Sequence, residues 1–294
     1  MLTVVVLLSG PHRLAMLDTA LSSIPIDSPT ISAVHISHSN GTWDWGGELR
    51  ERMEANPKVR IIEFPSKVNF ADSFNRSMLT VETPWGLMLP DDDYLLSSSA
   101  ESAFKAIAAD PSALDCGFAA FGWYYLKDER YLASYMKHRG LHAALHYAPK
   151  FATTMLNMKR FRAVGGFDGT VGGFCDTALF GRLAFEYDAL IGATPIGIYR
   201  LHDGQESARL RKVYAPYVET LNALLGRYAR DERERVDFER ELFEYAHGTG
   251  RIGGVRAVVQ DLLFPIRSRK QPTDAMQRVG LQRWSGGPVR YPTG

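Results

Sequence analysis

The chain has 294 residues, 45% of them hydrophobic, enough to bury a full core in one large or two small domains. Its charges nearly cancel, leaving +1 at neutral pH, so composition gives no electrostatic case for binding nucleic acid. Two cysteines, Cys116 and Cys175, build neither a disulfide framework nor a Cys-x-x-Cys metal pattern, which fits a reducing cytoplasm.

The first element is Met1-Leu2-Thr3-Val4-Val5-Val6-Leu7-Leu8, an apolar run without a basic flank that stops at Ser9-Gly10-Pro11. It is too short for a signal peptide or a membrane span and reads as a buried parallel strand. No later apolar run is long enough to cross a bilayer. Pro11 suits the first turn of a helix, along which Leu14, Leu17, Leu21 and Ile24 recur at helical spacing. Ile31, Val34 and Ile36 mark a second strand over Thr30 to Ser37, ended by His38-Ser39-Asn40-Gly41. Strand, helix and strand in this order predict a right-handed crossover and a parallel sheet whose loops line one cleft.

Trp43, Trp45, Leu49 and Met53 give a short helix within residues 41–56, and Val59 to Phe64 a third strand. From Asn69 to Leu79, Phe70, Phe74 and Met78 fall at i, i+4 and i+8 and are expected to face the sheet. Asp72, Asn75 and Arg76 are then left to reach a cleft at the strand ends. The strand Gly86 to Leu89 runs straight into Asp91-Asp92-Asp93. Adjacent like charges repel one another unless a cation neutralises them, so at a strand's carboxyl end they read as a metal site. The plainer reading is a solvated acidic turn. Ser98-Ser99-Ala100-Glu101 has the spacing of a capping box, opening a helix toward Pro111 that pins the carboxylates at a strand-to-helix junction.

Cys116 to Tyr125 reads as another strand, and residues 127–150 are rich in Tyr, His and basic side chains. Trp123, Tyr124, Tyr125, Tyr131 and Tyr135 are candidates for an aromatic wall against a sugar, or for packing between sheet and helices. His138, His142 and His146 share a helical face; with no Glu or Cys at ligand spacing, they read as a partly exposed face. Phe151 to Asn157 forms a strand, and Gly165-Gly166-Phe167-Asp168 a turn whose glycines supply positive φ. Leu179, Leu183 and Phe185 fit a helix with Asp176 at its amino end, where free N–H groups stabilise a carboxylate. Ala189 to Ala193 and Ile196 to Leu201 are strand-like, and the second leads into His202-Asp203-Gly204. Tyr217, Val218, Leu221, Leu224, Leu225 and Tyr228 form a helical stripe, part of a helical appendix over residues 206–249. Residues 250–294 carry eight Arg and Lys against Asp261 and Asp274. They read as a flexible tail, a homodimer contact, or a segment lying on an anionic membrane surface.

Five stretches stand in one order: the first strand and its loop, Ala71-Asp72-Ser73-Phe74-Asn75-Arg76-Ser77, Asp91-Asp92-Asp93, Gly165-Gly166-Phe167-Asp168, and Cys175-Asp176 opening a helix. This order resembles the family 2 glycosyltransferases, over residues 3–203. The resemblance implies the GT-A fold: α/β, Rossmann-like, a mixed, mainly parallel sheet flanked by helices. It implies a catalytic domain over residues 1–205, with a nucleotide-sugar half at 1–115 and an acceptor half at 116–205. The implied activity is metal-dependent, inverting transfer of a sugar from a nucleotide diphosphate sugar, a UDP-sugar first, to a hydroxyl of a glycan, glycolipid or other small acceptor. Polysaccharide assembly is what that family most often does.

By the same resemblance, Ser9, Pro11 and Arg13 after the first strand and His38 after the second hold the nucleotide; Asp72 and Arg76 are placed to reach it from the helix over 69–79. Asp91 or Asp92 contacts ribose. Mn²⁺ or Mg²⁺ is held chiefly by Asp93, with Asp91 and His202, and Asp176 is the general base. Two positions depart from the pattern: Ser37-His38-Ser39-Asn40 lacks the acidic residue common after the second strand, and Cys175 replaces a glutamate. Two alternatives remain: a non-catalytic nucleotide-sugar or glycan-binding protein on this fold, and a sugar nucleotidyltransferase. Leu8 to Arg13 lacks the repeated glycines that would wrap the triphosphate of the latter.

Overall fold

The computed structural model describes residues 1–10, 13–38, 47–66, 68–127, 130–134, 149–202 and 281–284. The expected appendix at 206–249, the tail apart from 281–284, Pro11, Tyr135 and the three histidines from His138 to His146 lie outside them.

Apolar runs that leave no polar face become the central strands. β1 (Leu2–Leu8) is buried along its whole length and pairs in parallel with β2 (Ile31–His38) on one side and β4 (Trp85–Pro90) on the other. β3 (Val59–Glu63) extends this parallel half beyond β2. The crossovers are α1 (Leu14–Ser22), α2 (Glu48–Glu54) and α3 (Phe70–Leu79). Beyond β4 the sheet turns mixed. β5 (Tyr94–Leu95) is a short strand, followed by α4 (Ser97–Ala109) and a 3₁₀ turn, Pro111–Asp115. β6 (Phe118–Lys127) and β7 (Arg130–Ser134) form a hairpin; β8 (Thr154–Asn157) leads into α5 (Met158–Ala163). α6 (Cys175–Glu186) precedes β9 (Ala189–Arg200), and β10 (Leu281–Trp284) closes the described elements.

The strand order is β10-β9-β6-β8-β4-β1-β2-β3, with β5 on β9 and β7 on β6. β8 runs antiparallel to both β4 and β6, and β9 runs parallel to β6. The carboxyl ends of β1, β2, β4, β6 and β9 therefore share one edge of the sheet, and the amino end of β8 lies there with them. α6 leads down to the start of β9, which puts its own amino end at that same edge. Two apolar layers flank the sheet. One packs α1 and α4 on its first face; the other packs α3, α5 and α6 on its second, around Phe74, Phe118, Phe161 and Phe180.

Several local expectations change. Phe70 is 40% exposed, so only Phe74 and Met78 of its stripe face the sheet. The capping box does not form: α4 is capped by Leu96, two residues ahead of Ser98, and Ser97 gives its hydroxyl proton to the Ser23 carbonyl. Phe151–Thr153 is a 3₁₀ turn before β8, and the two strand-like runs after residue 189 are one strand. Four residues of the expected tail, Leu281–Trp284, are an edge strand of the sheet. Among the described residues no helix is long and apolar enough to cross a membrane.

Candidate active site

β4 delivers the acidic triplet to the shared edge, and all three side chains are withdrawn from water: Asp91 is 1% exposed, Asp92 6% and Asp93 2%. A buried carboxylate needs donors, and each has its own set, with Arg13 common to two of them. Asp91 accepts the backbone N–H of Ser9 at 2.6 Å, the Ser9 hydroxyl at 3.1 Å and Arg13 Nη1 at 3.0 Å. Asp92 accepts the same Arg13 nitrogen at 2.7 Å and lies 3.0 Å from His202 Nε2. Asp93 accepts the backbone N–H of Arg200 at 3.0 Å, which ties the end of β4 to the end of β9. The solvated acidic turn is thus replaced by a buried network joining the loops after β1, β4 and β9.

The electrostatics follow burial. Desolvation raises Asp91 above the usual carboxylate range, against the Ser9 N–H and the Arg13 charge. Asp93 is raised well above it by burial and by the charge of Asp92, opposed by the Arg200 N–H and the Lys150 and Arg200 cations.

Asp176 reaches the same edge through a chain of local contacts. Gly165 and Gly166 adopt φ of 81° and 73°, left-handed values that glycine tolerates. Asn75 on α3 then clasps the turn: its amide donates to the Phe167 carbonyl at 2.8 Å, and its oxygen accepts the Phe167 N–H at 2.8 Å. Asp168 accepts both the N–H and the hydroxyl of Thr170, shaping the 3₁₀ turn Gly169–Phe174 that feeds α6. Asp176 stands in the first turn of α6, where Oδ1 accepts the Thr177 N–H at 2.7 Å. Burial raises its carboxyl, against the charge of Lys150 and the Thr177 N–H. Cys175 is packed in the core beneath it, its thiol pushed up by burial and by the charge of Asp176.

Sequence reasoning passed over Lys150. It lies before the 3₁₀ turn leading into β8, and its ammonium sits 5.0 Å from the Tyr199 ring centre and 5.8 Å from that of Trp123. The only signal available was a basic residue at the end of an aromatic stretch.

The other expected residues divide. Ser9, Arg13, Asp91, Asp92 and His202 come together. His38 is buried at the end of β2 rather than in a loop, and burial lowers its pKa. Arg76 donates to Ser66, after β3, and rests over the Phe64 ring; Asp72 is exposed and accepts from Asn69 at the start of α3. Trp123 and Tyr124 are core residues, which removes them from an open aromatic wall; Tyr125 is half-buried. Among the described residues the buried Trp123 indole N–H finds no hydrogen-bond partner.

Whether these side chains suit a divalent cation follows from their donor atoms. Among the described residues no three His, Cys, Asp or Glu side chains converge as a metal cage. A Mg²⁺ or Mn²⁺ site completed by substrate phosphates needs only one or two protein ligands, preferably oxygen. Asp92 and His202, 3.0 Å apart with Asp91 alongside, fit that smaller requirement. His202 meets Asp92 rather than Asp91 or Asp93, and Asp93 is turned onto the backbone of β9.

No family model matches the chain, and no curated protein matches it in sequence. Solved structures match it in fold. S. aureus TarS residues 1–349 in complex with UDP align with a TM-score of 0.64 at 10% identity, over 86% of this chain and 73% of that one. The same TarS segment with UDP-GlcNAc gives 0.56 at 12% identity, over 70% and 60%. The mannosyltransferase PcManGT from Pyrobaculum calidifontis, in complex with GDP-Man and Mn²⁺, gives 0.55 at 15% identity, over 78% and 64%. The fold is that of these GT-A glycosyltransferases, and the chain spans 60 to 73% of the length of these three neighbours.

Proposed function

We propose that this chain is a glycosyltransferase that moves a sugar from a nucleotide diphosphate sugar, a UDP-sugar first, to a hydroxyl acceptor with inversion at the anomeric carbon. The observation that carries this reading is the network by which Ser9, Arg13 and His202 hold the buried Asp91 and Asp92 at the carboxyl edge of the sheet, with Asp176 at the same edge. The ligands of the fold neighbours, UDP, UDP-GlcNAc and GDP-Man with Mn²⁺, support a nucleotide-sugar donor.

In this mechanism Asp92 and His202, aided by Asp91, would hold Mn²⁺ or Mg²⁺, which when bound supplies positive charge to the leaving diphosphate. Arg13, which bridges Asp91 and Asp92, is a second cation within reach of the same phosphates. The Ser9 backbone N–H and hydroxyl fix Asp91 so that the loop after β1 keeps its shape around the nucleotide. The acceptor oxygen attacks the anomeric carbon as that carbon's bond to the phosphate oxygen breaks, and the acceptor's proton passes to the Asp176 carboxylate. A carboxyl raised by burial is a stronger base than a solvated one, provided that it remains ionised at working pH. A single displacement of this kind inverts configuration.

Release of UDP from a UDP-sugar, with water or added sugars as acceptor, tests the base. Asp176→Asn should slow release by about 10² to 10⁴ while leaving UDP affinity within a factor of two or so. Undiminished turnover in that variant would remove Asp176 from the role.

A further inference from the structure

The mechanism above uses neither Lys150 nor Trp123. We propose that the two form an anion-binding subsite, in which the Lys150 ammonium and the Trp123 indole N–H take a carboxylate or phosphate carried by the acceptor. The subsite rests on the glycosyltransferase reading and narrows its acceptor to an acidic one.

The backbone fixes where the ammonium starts. The Lys150 carbonyl accepts the Thr153 N–H at 2.9 Å and the Thr154 hydroxyl at 2.9 Å, which holds the main chain at the amino end of β8. Two rings fix where the side chain ends: the ammonium stands 5.0 Å from the Tyr199 ring centre and 5.8 Å from that of Trp123. Tyr125 braces both rings edge-on, at 5.6 Å from Tyr199 and 6.1 Å from Trp123. All three rings belong to one corner of the sheet, where β6 runs beside β9 and sets Trp123 against Gly197 and Tyr125 against Tyr199. Tyr199 directly precedes Arg200, whose N–H donates to Asp93. On the other side, Phe151 packs against Phe180 at 6.1 Å, one turn along α6 from Asp176. A group bound at Lys150 therefore lies beside the end of β9 and the first turns of α6.

What this corner lacks is an acceptor oxygen. Among the described residues the Lys150 ammonium meets no hydrogen-bond acceptor and no carboxylate within ion-pair range, and the Trp123 indole N–H, on a side chain only 1% exposed, finds no partner either. The nearby carboxylates have donors of their own: Arg13 for Asp91 and Asp92, the Arg200 N–H for Asp93 and the Thr177 N–H for Asp176. Burial alone would lower the ammonium, but Tyr125, Tyr199, Asp176 and Asp93 hold it above its ordinary value, so it stays charged throughout the neutral range. Ring faces attract a cation but offer its N–H groups no lone pair. An ammonium and an indole N–H are donors only, and this selects the ligand. A sugar hydroxyl brings a proton that itself needs an acceptor, whereas a carboxylate or phosphate brings acceptor oxygens alone, together with the balancing charge. Lys150 and Tyr199 are half-buried, which leaves the ammonium open to a ligand. The phosphates of the donor belong with Arg13 and Asp92, across β4 from β8, so the acceptor is the molecule that carries this anion.

Saturation-transfer NMR on the full chain, with and without UDP and Mn²⁺, tests the subsite with methyl β-glucuronide, glucose 6-phosphate and the neutral methyl β-glucoside as probes. At least one acidic sugar should bind about tenfold or more tighter than the glucoside, and the comparison of the two acidic probes tells carboxylate from phosphate. Lys150→Met and Lys150→Gln should each weaken that binding by about tenfold, and Lys150→Arg should keep most of it. Trp123→Phe, which leaves a ring beneath the ammonium but removes the N–H, should weaken it several-fold. UDP affinity within about twofold of wild type shows that each variant is folded. Glucoside bound as tightly as both acidic sugars, no binding of either acidic sugar, or acidic binding untouched in Lys150→Met and Lys150→Gln overturns the proposal. Lys150-dependent binding of an acidic sugar by a chain that does not bind UDP would instead keep the anion subsite and reject the glycosyltransferase reading.

Discussion

Asp91, Asp92 and Asp93 are neighbours in sequence but have three different sets of partners. Asp91 is fastened to Ser9 and Arg13, Asp92 is shared between Arg13 and His202, and Asp93 is an anchor between β4 and β9. The triplet was legible in the sequence as a candidate site because three adjacent carboxylates are costly without cations. Which of them meets His202 was not legible, because strand alternation and the chain's exit from β9 decide it. A different residue carries a clear pH signature. His35 on β2 is 6% exposed, with Nδ1 2.8 Å from the Thr80 hydroxyl, and its pKa is lowered by burial and by Arg60. The folded state therefore favours neutral His35, while the unfolded chain protonates it near pH 6.5. Its contribution is intact above that value and is lost as pH falls through it, at up to about 1.4 kcal/mol per pH unit. Urea midpoints measured from pH 8 to 5.5 should fall more steeply for the wild type than for His35→Gln. Parallel slopes would count against a buried neutral His35.

At the scale of elements, Asp176 is placed by the join between α3 and the turn ahead of α6. A Cβ on Gly166 would lie 2.4 Å from Asn75 Oδ1, whereas one on Gly165 would meet nothing within 4 Å among the described residues. Both glycines have positive φ, so alanine costs conformational energy at either position, about 1 kcal/mol or more. Only Gly166→Ala also breaks the Asn75 clasp. Asn75→Ala should lower stability by about 1 to 3 kcal/mol through two backbone groups left unpaired. Gly166→Ala should equal or exceed it, and Gly165→Ala should be the mildest of the three in denaturant unfolding. A Gly165 variant as damaging as the Gly166 one would contradict the clasp. The sequence showed the glycines and Asn75 as separate signals, the latter as a polar residue left to reach the cleft. The pairing of these two stretches, 92 residues apart, is a tertiary fact. Elements with strong periodicity, β1 to β4, α1 and α3, were legible. The two-residue β5, the hairpin strand β7 and the edge strand β10 were not, because short strands are defined by their partners. Lys150 belongs with these: its place at this edge depends on β8 running against its neighbours.

For the molecule as a whole, the mixed sheet is what makes the site. The parallel half brings the ends of β1, β2 and β4 to one edge, and the antiparallel β8 returns the chain so that Lys150, Asp176 and the end of β9 meet them there. Carboxylates with Arg13 and His202 thus share that edge with Asp176. A nucleotide diphosphate bridging metal and protein is the ligand class this arrangement suits. Calorimetric titration of the full chain with UDP, with and without Mn²⁺, in wild type and Asp92→Ala, tests that claim most directly. UDP should bind, Mn²⁺ should tighten it by about tenfold or more, and Asp92→Ala should remove the metal's effect. Absence of UDP binding under both conditions, or a metal effect untouched in Asp92→Ala, would contradict the assignment of this network as the donor site.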